Sequence, residues 1–115
     1  MAYLSINPFT DELVMDYPSH TAEQVEQALS AADAAFRDPS WRGNLDRRLG
    51  ALSKLAGLLI EHADEIATTL ATEMDKLIAQ GQGEVRLCAG IAGYYAEHAK
   101  DMLKPVSYQS KAGNA

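Results

Sequence analysis

Apolar residues recur every three or four positions between Asn44 and Met74. This spacing places them on one face of an α-helix. The segment contains no proline, and Asn44 belongs to the residue types that cap helix N-termini well. The pattern predicts one helix over 45–75, on the order of 45 Å long. The apolar positions are Leu45, Leu49, Leu52, Leu55, Leu59, Ala63, Ile66, Leu70 and Met74.

A second helix is predicted over 21–37. Thr21-Ala22-Glu23-Gln24 has the form of a capping box, in which a hydroxyl and an amide side chain satisfy each other's backbone N–H groups. Pro39 restricts the residue before it and ends the helix. The predicted apolar face consists of Val25, Leu29, Ala32 and Phe36.

A third helix is predicted over 84–103, with Pro105 ending it. Gly81 and Gly83 are interpreted as the turn that precedes this helix, after a helix C-cap. Gly90 and Gly93 are expected to allow the close approach of another backbone. The predicted apolar face consists of Cys88, Ile91, Tyr95 and Met102.

The N-terminus is predicted to form a short β-hairpin within 1–18. Residues 3–6 are β-prone, residues 13–17 alternate apolar and polar, and Pro8 suits a central turn position between them. The fold class is therefore mainly α, with one hairpin and three helices, of which the middle one is long. The last segment, 104–115, is polar and predicts no element of its own.

Composition restricts the function classes. The chain has 115 residues, 47% of them hydrophobic, and a formal net charge of −6. This balance, with dispersed Lys and Arg, argues against a nucleic-acid-binding face. No apolar run reaches the ~20 residues of a membrane span, the N-terminus lacks the features of a signal peptide, and the single cysteine cannot form an internal disulfide. We expect a cytoplasmic protein.

Spacing alone predicts no active site. Gly81-Gln82-Gly83 begins like a dinucleotide-binding loop, but Arg86 stands where a third glycine is needed and no strand precedes the loop. Cys88 has no activating base beside it in sequence, so it is expected to be a small buried residue. Trp41 is expected to wedge between helices as part of the core. The three histidines lack the four-residue spacing of a zinc-binding helix: His20, His62 and His98.

The order of the segments resembles the N-terminal part of the NAD(P)-dependent aldehyde dehydrogenase superfamily, and is most similar to bacterial succinate-semialdehyde dehydrogenases. The resemblance covers nearly the whole chain. It is carried by Ile6-Asn7-Pro8-Phe9-Thr10, Thr21-Ala22-Glu23-Gln24-Val25, Phe36-Arg37 with Trp41, Leu49 to Leu59, Glu61-His62-Ala63-Asp64-Glu65, Glu73-Met74-Asp75-Lys76, Gly83-Glu84-Val85 and Tyr94-Tyr95-Ala96.

The resemblance implies a portion of the α/β aldehyde dehydrogenase fold, divided into the hairpin at 1–18, a helical region at 21–103 and, at 104–115, the entry to the family's oligomerisation strand. It also implies that the nucleophilic cysteine and general-base glutamate lie beyond these residues, and Cys88 does not match the nucleophile motif. NAD or NADP is the implied cofactor, and none is expected to bind this chain alone.

The resemblance implies one cation-binding site in this chain. Many family members bind a structural monovalent cation near the hairpin, through a backbone carbonyl and a carboxylate. The matching groups are the Ile6 carbonyl and the Glu73 side chain; the alternative is that Glu73 simply ends a helix. The family usually has glycine and proline where Asp75 and Leu77 stand, and Asp11 replaces a common turn glycine, although aspartate tolerates left-handed backbone.

Three functional interpretations remain. In the first, the chain is part of an oxidoreductase that converts an aldehyde, with succinate semialdehyde as the candidate, to a carboxylic acid, and is itself inactive. In the second, it is a non-catalytic helical interaction module. In the third, it is the truncated product of a disrupted gene. Its expected partners are a second copy of itself or the remainder of an aldehyde dehydrogenase subunit.

Overall fold

The computed structural model describes residues 3–110 and 113–114, with side chains for residues 3–108. Within that part, two antiparallel strands lead into five helices, and helices account for more than half of the chain. The predicted fold class is confirmed. The elements are β1 Tyr3–Ile6, β2 Leu13–Tyr17, α1 Ala22–Arg37, α2 Pro39–Arg42, α3 Leu45–Glu61, α4 Ala63–Met74 and α5 Ile78–Met102, followed by the two-residue strands β3 Gln109–Ser110 and β4 Gly113–Asn114.

The hairpin turn is closed by Asn7. Its carbonyl accepts from the Asp11 N–H at 2.9 Å, and its side-chain oxygen accepts from the Phe9 N–H at 2.9 Å. Asp11 has a φ of 58°, the left-handed conformation that aspartate tolerates. The register shifts between Ser5 and Ile6, so a β-bulge interrupts the ladder beside Ile6.

The capping signals read from the sequence are present. Thr21 and Gln24 form both bonds of the capping box at the start of α1. The Asn44 side chain accepts from the Arg47 N–H at 2.9 Å and starts α3. Asp38 ends α1 and also caps α2, whose first residue is Pro39. Proline at this position fits a helix start, because the missing N–H has no partner there.

The predicted long helix over 45–75 is divided in two. The backbone leaves helical geometry at His62, with φ −100° and ψ 17°, which ends α3 and begins α4. The interruption lasts one residue, and the Nδ1 atom of His62 lies 3.0 Å from the Glu65 carboxylate. The spacing of apolar residues continues across such a short break, and for this reason periodicity alone did not reveal it.

The third helix begins earlier than predicted. Gly81 and Gly83, interpreted above as a turn, lie inside α5. Asp75 ends α4 in the left-handed conformation, with φ 53°, and Leu77 precedes α5. An ion pair between Lys76 and Glu84 spans this turn. The turn is therefore only three residues long, and α4 and α5 form a tight helical hairpin.

Small residues form the core. Among residues with described side chains, the buried hydrophobic positions are Ala63, Ala67, Val85, Ala89 and Ala92, where α5 packs against α3 and α4. Gly81 is also buried, and a Cβ atom on it would lie 3.2 Å from the Ala67 backbone. Gly81, and not Gly90 or Gly93, provides the close approach, since a Cβ atom on either of those would meet no atom within 4 Å.

Two polar contacts join α5 to α3 and α4. The Lys100 ammonium donates to the Asp46 carboxylate at 2.8 Å, joining the end of α5 to the start of α3. This hydrogen bond raises the pKa of Lys100. Near the other end, the Gln82 side chain donates to the Asp64 carboxylate at 2.6 Å. The helices α3, α4 and α5 therefore form one unit, which we call the helical hairpin unit.

The face of α5 predicted to be apolar and buried is exposed. Cys88, Ile91, Tyr95 and Met102 all face solvent, and the buried face is the one with Val85, Ala89 and Ala92. The expectation of a buried Cys88 is therefore wrong. Trp41, expected in the core, is 40% exposed and stacks with the Arg47 guanidinium 5.4 Å from its ring centre.

The described residues include no helix with the length and apolar character needed to cross a bilayer. The predicted entry to an oligomerisation strand at 104–115 falls only partly within the described residues, because 111–112 and 115 lie outside them. The two-residue strands β3 and β4 pair there in antiparallel fashion. The division of the chain into 1–18, 21–103 and 104–115 stays a prediction.

Candidate functional site

Glu73, one of the two residues proposed for a cation site, contacts Ser5, the residue before Ile6, and the site itself stays a prediction. The Ser5 hydroxyl donates to a carboxylate oxygen of Glu73 at 2.7 Å, across 68 positions of sequence. Ser5 immediately precedes Ile6, so the end of α4 lies against β1. The bulge beside Ile6 disturbs strand pairing at the same point. The local fold thus places a carboxylate next to an irregular stretch of backbone.

The chemistry of this corner fits a hard cation. A carboxylate, a hydroxyl and a backbone carbonyl all present oxygen, the ligand type that hard cations take. The same contact also has a purely structural meaning, because it ties the hairpin to α4. Within the residues that the structure describes, no three His, Cys, Asp or Glu side chains are arranged to hold a metal ion. A site rich in carboxylates or thiolates is therefore absent from this part.

Two open apolar grooves lie on the helical hairpin unit. The first, of about 410 Å³, lies at the break between α3 and α4, and we call it the elbow groove. Its lining residues are Leu55, Leu58, Leu59, His62, Glu65, Ile66 and Thr69. The second, of about 480 Å³, lies along the exposed face of α5 and is lined by Arg86, Leu87, Gly90, Ile91, Tyr94 and Tyr95.

Aromatic rings cluster at the second groove. The ring centres of Tyr94 and Tyr95 lie 5.5 Å apart, and those of Tyr94 and His98 lie 4.5 Å apart, both in edge-to-face geometry. Such pairs are favoured by the ring quadrupoles. The sequence did not identify this groove, since its apolar residues read equally well as a buried core face. Exposure is the property that the periodicity could not reveal.

The residues considered for catalysis do not assemble into a site. Cys88 is exposed, and its sulfur makes no hydrogen bond within the described part of the chain. The Gly81-Gln82-Gly83 segment is helical, so it offers no loop of free N–H groups for a pyrophosphate. The interpretation that this segment is not a dinucleotide-binding loop agrees with its helical conformation.

Comparison of the sequence with known proteins gives matches over nearly the whole chain. The family model described as Aldehyde dehydrogenase family matches residues 2–115. A succinate-semialdehyde dehydrogenase (NADP(+)) of Deinococcus radiodurans is 31% identical over 98% of this chain and 24% of its own length. The succinate semialdehyde dehydrogenase (NAD(P)+) Sad of Escherichia coli K12 is 39% identical over 88% of this chain and 22% of its own length.

Solved structures share this fold. Succinic semialdehyde dehydrogenase from Streptococcus pyogenes, in complex with NADP+, superposes with a TM-score of 0.88 at 31% identity, over 98% of this chain and 25% of that one. An NAD-dependent aldehyde dehydrogenase from Sinorhizobium meliloti gives a TM-score of 0.80 at 28% identity, over 96% of this chain and 22% of that one. The chain spans about a quarter of the length of these relatives.

Proposed function

Because the chain belongs to the aldehyde dehydrogenase family, we propose that it forms the N-terminal part of a subunit that oxidises an aldehyde to a carboxylic acid with NAD+ or NADP+. The names of its relatives favour succinate semialdehyde as the substrate. The chain contributes a folded scaffold to that subunit. The cytoplasmic location also stays a prediction.

The large exposed surface of the chain is the observation that carries this proposal. The chain exposes 9347 Å² of surface. A compact monomer of 12.5 kDa would expose ~6,200 Å². The difference, ~3,000 Å², is large enough for one side of an obligate interface. The exposed grooves of the helical hairpin unit are apolar, as obligate interfaces are. The occupant that we propose for them is the remainder of an aldehyde dehydrogenase subunit.

The chain alone is expected to be inactive. In the family, a cysteine thiolate attacks the aldehyde and a glutamate activates the water that releases the acid. By the resemblance, neither residue is among these 115. Cys88 has no activating base beside it in the sequence.

The test of this proposal has two parts. The purified chain, mixed with succinate semialdehyde and NAD+ or NADP+, is expected to form no reduced nicotinamide above background. Turnover that Cys88→Ala abolished would show that Cys88 is the nucleophile and would overturn the proposal. Turnover that survived Cys88→Ala would overturn it equally, by showing chemistry elsewhere in the chain.

A chimera tests whether the chain can serve as the N-terminal scaffold of an active subunit. This chain replaces the matching N-terminal quarter of the Deinococcus radiodurans relative, and the chimera is assayed with the same aldehyde. Dehydrogenase activity is expected, since the fold of the matched segment is shared. As a control, the relative without its N-terminal quarter should be inactive. A folded but inactive chimera would contradict the scaffold role.

A monovalent cation at Ile6 and Glu73 is part of the same proposal, supported by the Ser5–Glu73 contact. The melting temperature of the chain is expected to rise in sodium or potassium chloride relative to choline chloride at equal ionic strength. Glu73→Gln should remove this difference, whereas Glu61→Gln, at the end of α3, should keep it. An equal response of Glu73→Gln and the unmodified chain would exclude the site and leave Glu73 with its structural role.

The non-catalytic interaction module is the second candidate. The helical hairpin unit favours it, because that unit has a core of its own. If the chimera is inactive and the isolated chain is a compact monomer that binds no hydrophobic dye, the module becomes the better interpretation.

A further inference from the structure

A pocket at the corner between α1, α2 and the start of α3 has two arginines on its wall. We call it the arginine pocket. Its volume is about 330 Å³, and its lining residues are Ala35, Phe36, Trp41, Arg42 and Arg48. It shares no lining residue with either groove of the helical hairpin unit. The lining combines aromatic rings with two positive charges and includes no carboxylate.

Positive charge is concentrated in the segment that forms this pocket. Residues 37–48 contain four of the ten Lys and Arg residues of the chain and two of its sixteen Asp and Glu residues, although the formal net charge is −6. Both acidic residues already have partners. Asp38 accepts from the Ser40 hydroxyl at 2.9 Å. Asp46 accepts from the Lys100 ammonium at 2.8 Å. The acids of this segment therefore leave part of its positive charge uncompensated.

The four arginines of the segment differ in their partners. Arg37 donates to an aspartate of its own helix at 2.7 Å, and Arg47 donates to a serine hydroxyl of α2 at 2.6 Å. Arg42 and Arg48, the two that line the pocket, make no hydrogen bond or ion pair with the residues whose side chains are described. The pocket wall therefore presents two guanidinium groups without a counter-charge.

Stacking orients one of these groups. The Arg42 guanidinium lies over the Phe36 ring, 4.5 Å from its centre. A stacked guanidinium keeps the N–H donors at its edge available, and this planar fork matches the two oxygens of a carboxylate. Arg42 and Arg48 also repel each other across one pocket, and an anion between them converts that repulsion into attraction. The chemistry of the pocket therefore fits a carboxylate.

We propose that the arginine pocket binds an acidic side chain from the remainder of the aldehyde dehydrogenase subunit. The inference rests on the proposed function, and it adds a defined surface and the charge of its partner. The chain spans about a quarter of the length of its relatives, so most of the proposed subunit lies outside it. An apolar segment over the pocket would remove two guanidinium groups from water without pairing them, which is costly. An acidic segment pairs them.

The first test uses the chimera described above. Arg42→Gln and Arg48→Gln are each introduced into the chimera and into the isolated chain. In the chimera, each is expected to lower the melting temperature by at least about 2 °C, because the partner carboxylate loses a donor. In the isolated chain, each should leave the melting temperature unchanged or raise it, since a repulsion is removed. Arg37→Gln is the matched control and should act equally in both, because the partner of Arg37 lies in its own helix.

The second test needs no chimera, because Trp41 lines the pocket and is the only tryptophan of the chain. Glutarate, a small dicarboxylate, is added to the 115-residue chain, with sodium chloride at equal ionic strength as the reference. A saturable change in Trp41 emission is expected. The double variant Arg42→Gln/Arg48→Gln should raise the apparent dissociation constant at least about tenfold. Arg37→Gln should bind glutarate as the unmodified chain does.

Two results would overturn the inference. The first is an active chimera in which Arg42→Gln and Arg48→Gln act as they do in the isolated chain, and this result would leave the proposed function intact. The second is a Trp41 emission that does not respond to glutarate, or that responds equally in the double variant. A folded but inactive chimera would contradict the proposed function and, with it, the partner named here.

Discussion

Gly81 lies where α5 closely approaches α4. A Cβ atom there would lie 3.2 Å from both the Cα and the Cβ atom of Ala67. Since the contact is partly with backbone, relief requires the helices to move apart. Gly81→Ala is expected to lower the free energy of unfolding by ~1–3 kcal/mol, the usual cost of overpacking. Urea denaturation measures the change.

The matched substitution is Gly90→Ala, which lies in the same helix with open space around it. It should raise the free energy of unfolding by ~0.5–1 kcal/mol, because alanine is the better helix former. If both substitutions stabilise the chain, the helices are less closely packed at Gly81 than the structure shows.

The hydrogen bonds of Asp38 link the stability of the fold to pH. Its oxygens accept from the Ser40 hydroxyl at 2.9 Å and from the Ser40 N–H at 2.8 Å, and these bonds hold the pKa of Asp38 below its ordinary value of 3.8. A lowered native pKa means that the carboxylate stabilises the fold above that value. Its contribution is lost as pH falls through the lower native pKa.

Asp38→Asn tests this pH dependence, because asparagine keeps the capping geometry and removes the charge. The unmodified chain should be more stable than the variant near neutral pH, and the difference should shrink as the pH falls below ~4. Chemical denaturation at several pH values measures it. Asp16→Asn, which removes a carboxylate that caps no helix, is the control, and a constant difference for Asp38→Asn at all pH values would contradict the argument.

At the scale of elements, α1 depends on its own capping more than on packing. Thr21→Ala removes half of the capping box and is expected to cost the helix ~1 kcal/mol. Since α1 has no buried residue, this loss should appear as local fraying. Amide hydrogen exchange should become faster in α1 and stay unchanged in the helical hairpin unit. Ser19→Ala is the control, and exchange that also became faster at α3 or α5 for Thr21→Ala would contradict local unfolding.

The elements show where sequence reasoning succeeds. The helix ends predicted from Thr21, Asn44 and Pro39 are correct, because capping depends on a few adjacent residues. The break at His62 was missed, since a single non-helical residue leaves the three-to-four spacing intact. The start of α5 was misplaced because glycine serves both turns and close helix packing. The cation site at Ile6 and Glu73 came from the resemblance and not from periodicity, and it stays a prediction.

The buried face of α5 was also misassigned, for a physical reason. Periodicity identifies an apolar face, and large residues such as Ile91 and Tyr95 dominate that pattern. In this chain the contact with α4 is made by alanine and glycine, whose small size allows the backbones to approach. The larger residues lie on the opposite side. A sequence with two apolar faces on one helix does not reveal which face its own chain covers.

The whole molecule is elongated. Its radius of gyration is 20.6 Å, against ~13 Å for a compact domain of the same length. We expect the isolated chain to bind a hydrophobic dye, because the elbow groove is open. Leu55→Asp, which places a charge in that groove, should lower dye fluorescence and raise solubility. Ser53→Asp, at an exposed polar position nearby, should change neither, and a native chain that binds no dye would show that the groove is closed.

The elongated shape has a thermodynamic consequence. The folded chain exposes 9347 Å² of surface. Folding therefore buries only about three quarters of the surface that the folding of a compact protein of this mass would bury. The heat capacity change of unfolding scales with that surface, and so does the slope of the free energy of unfolding against urea concentration. Calorimetry should therefore give a heat capacity change near three quarters of the ordinary ~1.5 kcal/mol/K for this length. The stability curve of the chain will be correspondingly flat, with a broad and shallow transition on heating.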